Sequence, residues 1–344
     1  MVNGQTRFLT VLLAMSLACA SCSTGTAVSS DSSETSSVET SAVANEADAA
    51  TAEEPTSASA HPDYADASVS YLGPEGTYTQ EACEAFFGGQ GTYLPAEDVT
   101  ASVKAMLDGE TDYAVIPQEN AIGGPIAEYL DEVVGHEQVS IVGEVELPID
   151  QNLLVKPGTK LDDIRTVYSH KQGIAQGKEW LSEHLSKAEV VEVSSTAEGA
   201  KMAAEDEAGT CAAIGARAAA QVYGLEVAAE AIQMNDANKT RFYVLSTEAP
   251  AAGPDDRMGF IAEGGVEDLA ELLTSVEAAG LEVVAVHDRP EKSELGRYAY
   301  LVETSGGGRD AFDAVQKERP EFAFRYLGCF PLVSPGERSD SAVS

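Results

Sequence analysis

Apolar and polar positions follow two different periods along this chain, and the places where one gives way to the other mark its elements. Val69-Ser70-Tyr71-Leu72 is a short β-favouring run stopped by Gly73-Pro74-Glu75-Gly76, which predicts a strand and then a turn. Thr77 and Gln80 follow at the spacing of a capping box and open a helix. Asp98 stands before Val99, Val103, Met106 and Leu107, which share one helical face, and Gly109 follows them; this predicts a capped helix ended by glycine. Tyr113 to Ile116 is continuously apolar, as a buried strand is. The alternation continues with a strand at Val167-Tyr168, a helix through Trp180 and Leu181, a strand from Val190 to Val193, a helix capped by Ser195 and Glu198, and a strand from Ala212 to Ile214. Such alternation predicts an α/β fold with largely parallel sheets, whose ligands sit beyond the carboxyl ends of the strands.

The period changes once more beyond Ala249-Pro250-Ala251-Ala252-Gly253-Pro254, a hinge or linker by composition. A strand from Met258 to Ala262 leads to a helix with Val266, Leu269, Leu272, Leu273 and Val276, ended by Gly280, and then to a strand from Leu281 to Val286. Tyr298, Tyr300 and Val302 come at alternate positions, a helix follows near Ala311 to Val315, and Phe322 to Tyr326 can close the sheet. This βαββαβ order predicts a ferredoxin-like domain of its own.

A length of 344 residues leaves room for two or three domains. With 57 acidic against 21 basic side chains the formal charge is -36, which argues against nucleic acid or anionic lipid as the main partner. A small anionic ligand stays possible, because salt screens a distant acidic surface and lets local groups decide. Arg7, the apolar run Phe8 to Ala18 and Cys19-Ala20-Ser21-Cys22 form a leader too short to span a membrane. Its ending resembles a bacterial lipoprotein cleavage site, so residues 1–22 are expected to be a signal peptide with Cys22 acylated, a plain signal peptide being the alternative. The protein is then exported and lipid-anchored on the outer face of a bacterial cell membrane. Residues 23–66 carry Ser, Thr, Ala and Glu with few large apolar side chains, which predicts a disordered tether. Cys83, Cys211 and Cys329 are too few and too scattered for a disulfide framework. No HExxH or paired CxxC occurs and the five histidines are scattered, so no metal site is expected, and His136 and His184 read as surface residues on helices.

Three remote stretches put uncharged hydrogen-bonding groups next to a glycine or a basic residue near predicted strand ends: Pro117-Gln118-Glu119-Asn120, Ser169-His170-Lys171-Gln172 and Asn238-Lys239-Thr240-Arg241-Phe242. Together they predict one anion-holding pocket. Thr240 can donate to a ligand or pair with backbone at a strand start. Arg241 can grip a carboxylate with two hydrogen bonds or form an internal salt bridge, and strand alternation points it away from Thr240. Asn120, Ser169 and Gln176 suit ligand oxygens but could also cap loops. His170 is a second candidate proton donor, since imidazole can carry a proton near neutral pH. Ser195 and Thr196 open a helix whose N-terminal amides favour an anion.

These pieces, with Tyr71 to Thr79, Ile116 to Asn120, Ser169 to Gln172, Gln176, Trp180-Leu181, Ser194 to Glu198, Ala213-Ile214-Gly215, Tyr223-Gly224-Leu225 and Asn238 to Phe242 in this order, resemble the prephenate dehydratase family from Val69 to Pro331. The resemblance implies a catalytic domain over 67–248 with two lobes like those of periplasmic binding proteins, about 67–146 with 232–248 and 147–231. It further implies an ACT-like regulatory domain over 256–332. The implied activity is the decarboxylating dehydration of prephenate to phenylpyruvate in phenylalanine biosynthesis, with Thr240 catalytic, Asn120, Ser169 and Gln176 holding substrate, and no cofactor. Arogenate dehydratase, or an exported protein that binds a small aromatic or dicarboxylic acid without converting it, are the alternatives. Ala121 stands where the family has serine, and Lys171 where proline is common. His287-Asp288-Arg289-Pro290 occupies the place of Glu-Ser-Arg-Pro in the family's ACT domain, so Arg289 and Pro290 are candidate contacts for phenylalanine as regulator. A domain that only dimerises is the other possibility, and a homodimer or homotetramer is expected.

Overall fold

A computed structural model describes residues 64–335 apart from 236 and 254. The leader, Cys22 and the tether as far as residue 63 lie outside these residues. Among the described residues no helix is long and apolar enough to cross a membrane.

The chain first builds β1 (Ser68–Leu72), α1 (Tyr78–Phe87), β2 (Thr92–Ala96), α2 (Val99–Leu107), β3 (Tyr113–Asn120), the short β4 (Gly124–Pro125), α3 (Ala127–Gly135) and β5 (Ser140–Pro148). It then forms β6 (Asn152–Val155), β7 (Thr166–Ser169), α4 (Lys171–Gln176), α5 (Lys178–His184), β8 (Glu189–Glu192), α6 (Thr196–Glu205), β9 (Cys211–Gly215), α7 (Arg217–Tyr223) and β10 (Glu226–Ala229). These last five strands make a second sheet in the order β10-β6-β9-β7-β8. The chain returns through β11 (Lys239–Ser246), which inserts between β3 and β5 and completes the first sheet, β5-β11-β3-β1-β2 with β4 on β3. Two α/β sheets of this kind are the two lobes expected of a periplasmic-binding-protein-like domain.

Largely parallel sheets are not what forms. β1 pairs parallel with β2 and β3, but β11 comes back from the second lobe and runs antiparallel to both β3 and β5. In the second sheet β6 is antiparallel to both neighbours as well. The cause is topological: a strand that crosses between lobes enters the other sheet from the end where the local strands leave it.

Local chemistry sets the helix ends, with small departures from expectation. Asp98 accepts from the Ala101 N–H at 2.7 Å and caps α2. Ser195 accepts from the Glu198 N–H at 3.0 Å, while the Glu198 carboxylate reaches back to the Ser194 N–H at 2.9 Å. The expected Thr77/Gln80 box does not close. Thr77 donates to the Leu72 carbonyl, and Gln80 accepts from the Gly76 N–H at 2.8 Å, because the preceding turn presents that amide first. The helix through Trp180 is two short helices that meet at Gly177, and His184 stacks on Trp180. His136 follows α3 and pairs with Glu132.

Beyond the linker come β12 (Arg257–Gly265), α8 (Leu269–Ala278), β13 (Glu282–Pro290), β14 (Arg297–Ser305), α9 (Arg309–Glu318) and β15 (Ala323–Phe330). Their antiparallel sheet, β13-β14-β12-β15, is the ferredoxin-like arrangement. Val266 is not on the α8 face as expected: it lies in a 3-10 turn before the helix and is exposed. One face of this sheet packs Phe260, Tyr300 and Val302 against Leu272, Val276, Phe312 and Val315 of the two helices. The other face sets Ile261, Ala299 and Leu301 into a common core with Ile116, Tyr129, Ile141 and Tyr243 of the first lobe. The chain then adds β16 (Leu332–Val333), a short parallel strand on the outer edge of β5.

Candidate functional site

Between the two sheets lies a cavity of about 380 Å³. Its lining draws on β3 and β11 of the first lobe, on α4 and the start of α6 in the second, and on the crossing segments. Pairing of β11 with β3 matches Thr240 to Asn120 and Arg241 to Glu119, but Phe242 to Pro117, so Gln118 is the extra residue of a β-bulge. A bulge lets two successive side chains leave a strand on one side. Pro117 and Asn120 therefore face the cavity beside Thr240 and Phe242, while Gln118, Glu119, Arg241 and Tyr243 turn to the opposite face, toward the C-terminal domain.

Hydrogen bonds fix the direction of every amide around Thr240. The Asn120 Oδ1 accepts from the Ile122 and Gly123 N–H groups at 3.1 and 2.8 Å, so its Nδ2 must point the other way. That nitrogen donates to Asn238 Oδ1 at 2.8 Å and to Thr240 Oγ1 at 2.9 Å. Asn238 Nδ2 in turn donates to Gln176 Oε1 at 3.1 Å, and Gln151 Nε2 donates to the same oxygen at 3.1 Å. Two backbone amides thus orient four side chains. Thr240 Oγ1 already accepts a hydrogen bond, which leaves its own hydrogen free to donate into the cavity. Gln176 likewise keeps its Nε2 as a donor, and the buried Gln151 Oε1 has no partner among the described residues.

Ser195 and Thr196 line the cavity at the start of the ten-residue α6, and His170 lines it from the N-cap of α4. The Gln172 N–H donates to His170 Nδ1 at 3.4 Å, which places the imidazole hydrogen on Nε2. None of the described lining residues is Asp, Glu, Lys or Arg. Among the described residues no group of three His, Cys, Asp or Glu could hold a metal ion.

Two expected ligand contacts are not there. Ser169 is fully buried behind the cavity wall and donates to the Ile214 carbonyl at 2.8 Å. It stands behind Gly173, where an added Cβ would come within 2.5 Å of its Oγ. Arg241 is the second: strand alternation carries its guanidinium to the far face, between Glu144 and Glu303, with Glu119 at 3.7 Å. Burial opposes its charge, but the two carboxylates outweigh that and keep it charged. Lys239 turns away as well, to Glu146 at 2.5 Å, and Lys171 is exposed. The Lys and Arg residues of the three stretches therefore stay out of the pocket, and its lining takes uncharged hydrogen-bonding groups from them instead. Arg289 makes a two-point pair with Asp131 of α3, at 2.6 and 2.5 Å, and with Pro290 it lines a separate cavity of about 320 Å³ between α3 and the C-terminal sheet. Gln151 is the residue that sequence reasoning missed: it follows Ile149-Asp150 with no pattern to single it out. Asn238 lay inside a motif that did stand out, but no role pointed to it.

The profile of the family described as prephenate dehydratase matches residues 69–250. A bifunctional chorismate mutase/prephenate dehydratase of Neisseria gonorrhoeae is 35% identical over 271 residues, covering 77% of this chain and 74% of that one. A prephenate dehydratase of Corynebacterium glutamicum is 31% identical over 278 residues, covering 76% and 87%. Among solved structures, prephenate dehydratase from Arthrobacter aurescens in complex with L-Phe superposes with a TM-score of 0.66 at 28% identity, covering 77% of this chain and 90% of that one.

Proposed function

The chain belongs to the prephenate dehydratase family, and we propose that its interlobe cavity carries out the family's reaction through Thr240. The reaction is a carbon–oxygen lyase step of phenylalanine biosynthesis that turns prephenate into phenylpyruvate, water and carbon dioxide. The bond from the ring to its carboxylate breaks, its electron pair moves through the ring, and the hydroxyl on the opposite carbon leaves with one proton taken up. Aromatisation drives the step. What the protein must add is a donor at the departing oxygen and a site that leaves the carboxylate free to go.

The observation that carries the assignment is the 2.9 Å hydrogen bond from Asn120 to Thr240. It makes Thr240 a donor with a fixed direction, so the hydroxyl is aligned before the leaving oxygen begins to gain charge. Neutral walls fit the rest of the chemistry. A cation held on the departing carboxylate would stabilise the starting state more than the transition state and slow its loss. Leu72, Pro117 and Phe242 give the cavity an apolar surface on which that carboxylate can rest without a cation. The start of α6 suits the second carboxylate, on the side chain that does not react, because unpaired amides at a helix N-terminus favour an anion. Gln176 Nε2 and His170 Nε2–H are further neutral donors for the substrate.

Arogenate differs from prephenate by an ammonium in place of the keto oxygen. No described lining residue is a carboxylate that could pair with it, which favours prephenate. The deciding experiment follows phenylpyruvate from prephenate with purified protein at neutral pH, with arogenate in a parallel arm. Turnover of prephenate well above the spontaneous rate is expected. A protein that binds prephenate without turnover would be the non-catalytic binder instead, and faster turnover of arogenate would reverse the substrate order.

Three further properties belong to the proposal. Phenylalanine acts as a regulator through the C-terminal domain; the Arthrobacter relative in complex with L-Phe and the Arg289-Pro290 pair support this. Absence of heat at millimolar phenylalanine in a calorimetric titration would refute it. The protein is a homodimer or homotetramer, which its mass in solution tests. It is exported and held by an acylated Cys22, for which the support is Arg7, the apolar run and Ala20-Ser21-Cys22. Labelled palmitate should enter the wild-type protein in cells but not Cys22→Ser.

A further inference from the structure

On the face of the first sheet opposite the cavity, the C-terminal domain places one carboxylate against the two strands that carry Asn120 and Thr240. Glu303 of β14 is fully buried. Its Oε2 accepts from the Tyr243 hydroxyl at 2.5 Å and from Gln118 Nε2 at 3.4 Å, and its Oε1 accepts from Arg241 Nη2. Gln118 Nε2 also donates to the Tyr243 oxygen at 2.9 Å. β11 changes register against β3 between Arg241 and Phe242, so Arg241 stands just before the shift and Tyr243 is the next side chain on the same face beyond it, and Gln118 is the extra residue of the bulge in β3. One side chain from another domain therefore holds the bulge at three points. Glu144 of β5 takes Arg241 from its other side, and Arg257 Nε of β12 lies 3.5 Å from Glu144 and 3.3 Å from Glu303.

Stability is a poor explanation for such a cluster. Desolvation of buried ions offsets most of their attraction, and apolar side chains of similar size often hold an interface as well or better. Ile261, Ala299 and Leu301 already supply that packing next to it. What directional hydrogen bonds give and apolar contact does not is a unique register. If the bulge were lost, β3 beyond Gln118 would slip by one residue against β11 and its side chains would exchange faces. Asn120 would then leave the cavity, and Thr240 would lose the partner that aims its hydroxyl.

We propose that Glu303 is a positioning residue for the dehydration: by holding Arg241, Tyr243 and Gln118 it fixes the bulge that sets Asn120 against Thr240. This rests on the assignment of Thr240 as the donor to the leaving hydroxyl. It makes the docked C-terminal domain part of the geometry of the reaction, apart from any ligand that domain binds.

The test is steady-state kinetics with prephenate on the full chain, with the folded state of each variant checked by circular dichroism. Wild-type turnover and its loss in Thr240→Val are measured first; if either fails, the assignment of the site is wrong irrespective of Glu303. Given both, Glu303→Gln and Tyr243→Phe are each expected to lower kcat roughly tenfold or more while KM changes by no more than about threefold, as displaced catalytic groups do. Introduced into Thr240→Val, the same changes should lower kcat no further, since residues acting through one group are not additive. Wild-type kcat in both folded single variants would overturn the proposal, as would losses of equal size with and without Thr240. Should Glu303→Gln fail to fold, Tyr243→Phe decides alone, because it removes one hydroxyl and leaves no charge unpaired.

Discussion

At the scale of single residues, the site works by subtraction: each amide around Thr240 has its direction fixed by a partner, so few groups remain free and these face the ligand. Thr240→Val removes the one hydroxyl while Asn120 Nδ2 keeps Asn238 Oδ1 and the Lys239 carbonyl at 3.2 Å. Little stability should be lost for that reason. Turnover should fall by roughly 10² or more with KM nearly unchanged, the usual cost of one positioned donor. Steady-state kinetics beside a thermal melt separates the two effects. Thr240, Asn120 and Gln176 stand out in the sequence by their match to the family's motifs, and the structure brings all three to the cavity. Ser169 and Arg241 misled for a different reason. Which face of a strand a residue occupies depends on the bulge at Gln118, and whether a serine lines a cavity or backs its wall depends on how closely a helix approaches. Neither is written in residue type.

Among the elements, α4 shows how closely that approach is controlled. A Cβ on Gly173 would sit 2.5 Å from Ser169 Oγ and 3.2 Å from Gln151 Oε1. Replacing a helical glycine with alanine commonly gains up to about 1 kcal/mol of propensity, whereas overpacking a tight contact loses roughly 1–3 kcal/mol. The second effect should win here, since the serine is already bonded to Ile214. Gly173→Ala is therefore expected to lower stability by about 1–2 kcal/mol net and to raise KM for prephenate several-fold, by displacing Gln151 and with it Gln176. Denaturant unfolding and kinetics on the same variant check both parts. The αβ alternation and the βαββαβ order were legible because their periods are long and well punctuated by glycine. The antiparallel return of β11 was not, since an apolar run such as Phe242 to Leu245 looks the same in either direction. Nor did periodicity single out α3 or β5, although both touch the C-terminal domain.

Seen as a whole, the molecule joins its catalytic sheet to the C-terminal sheet through a mixed interface, apolar at Ile261 and Leu301 and ionic around Arg241. That ionic part should make stability depend on pH. Burial, and then the neighbouring Glu303, push Glu144 up to about 7 from the usual 4.5. Between those values the folded chain holds a proton that the unfolded chain has released, so this group makes stability fall as pH rises from about 4.5 to about 7, with no further change above. Arg241, Glu303 and Arg257 are the charged groups that face it. His287, which burial holds below its usual 6.5, acts in the opposite sense at lower pH, so the informative quantity is a difference between proteins. Melting temperature should drop from pH 6 to pH 8 more in the wild type than in Glu144→Gln. An equal drop in both would remove Glu144 from the account.

The short strand β16 has a consequence for biosynthesis. Leu332 and Val333 pair with Glu144 and Val145, yet they leave the ribosome only after the entire ferredoxin-like unit that precedes them. While translation proceeds, the outer edge of β5 is a bare row of backbone donors and acceptors, open to any extended segment nearby. The nascent polypeptide must keep that edge uncompromised until residues 332–333 arrive, so a seam that synthesis leaves open is closed by a strand made after the ferredoxin-like unit.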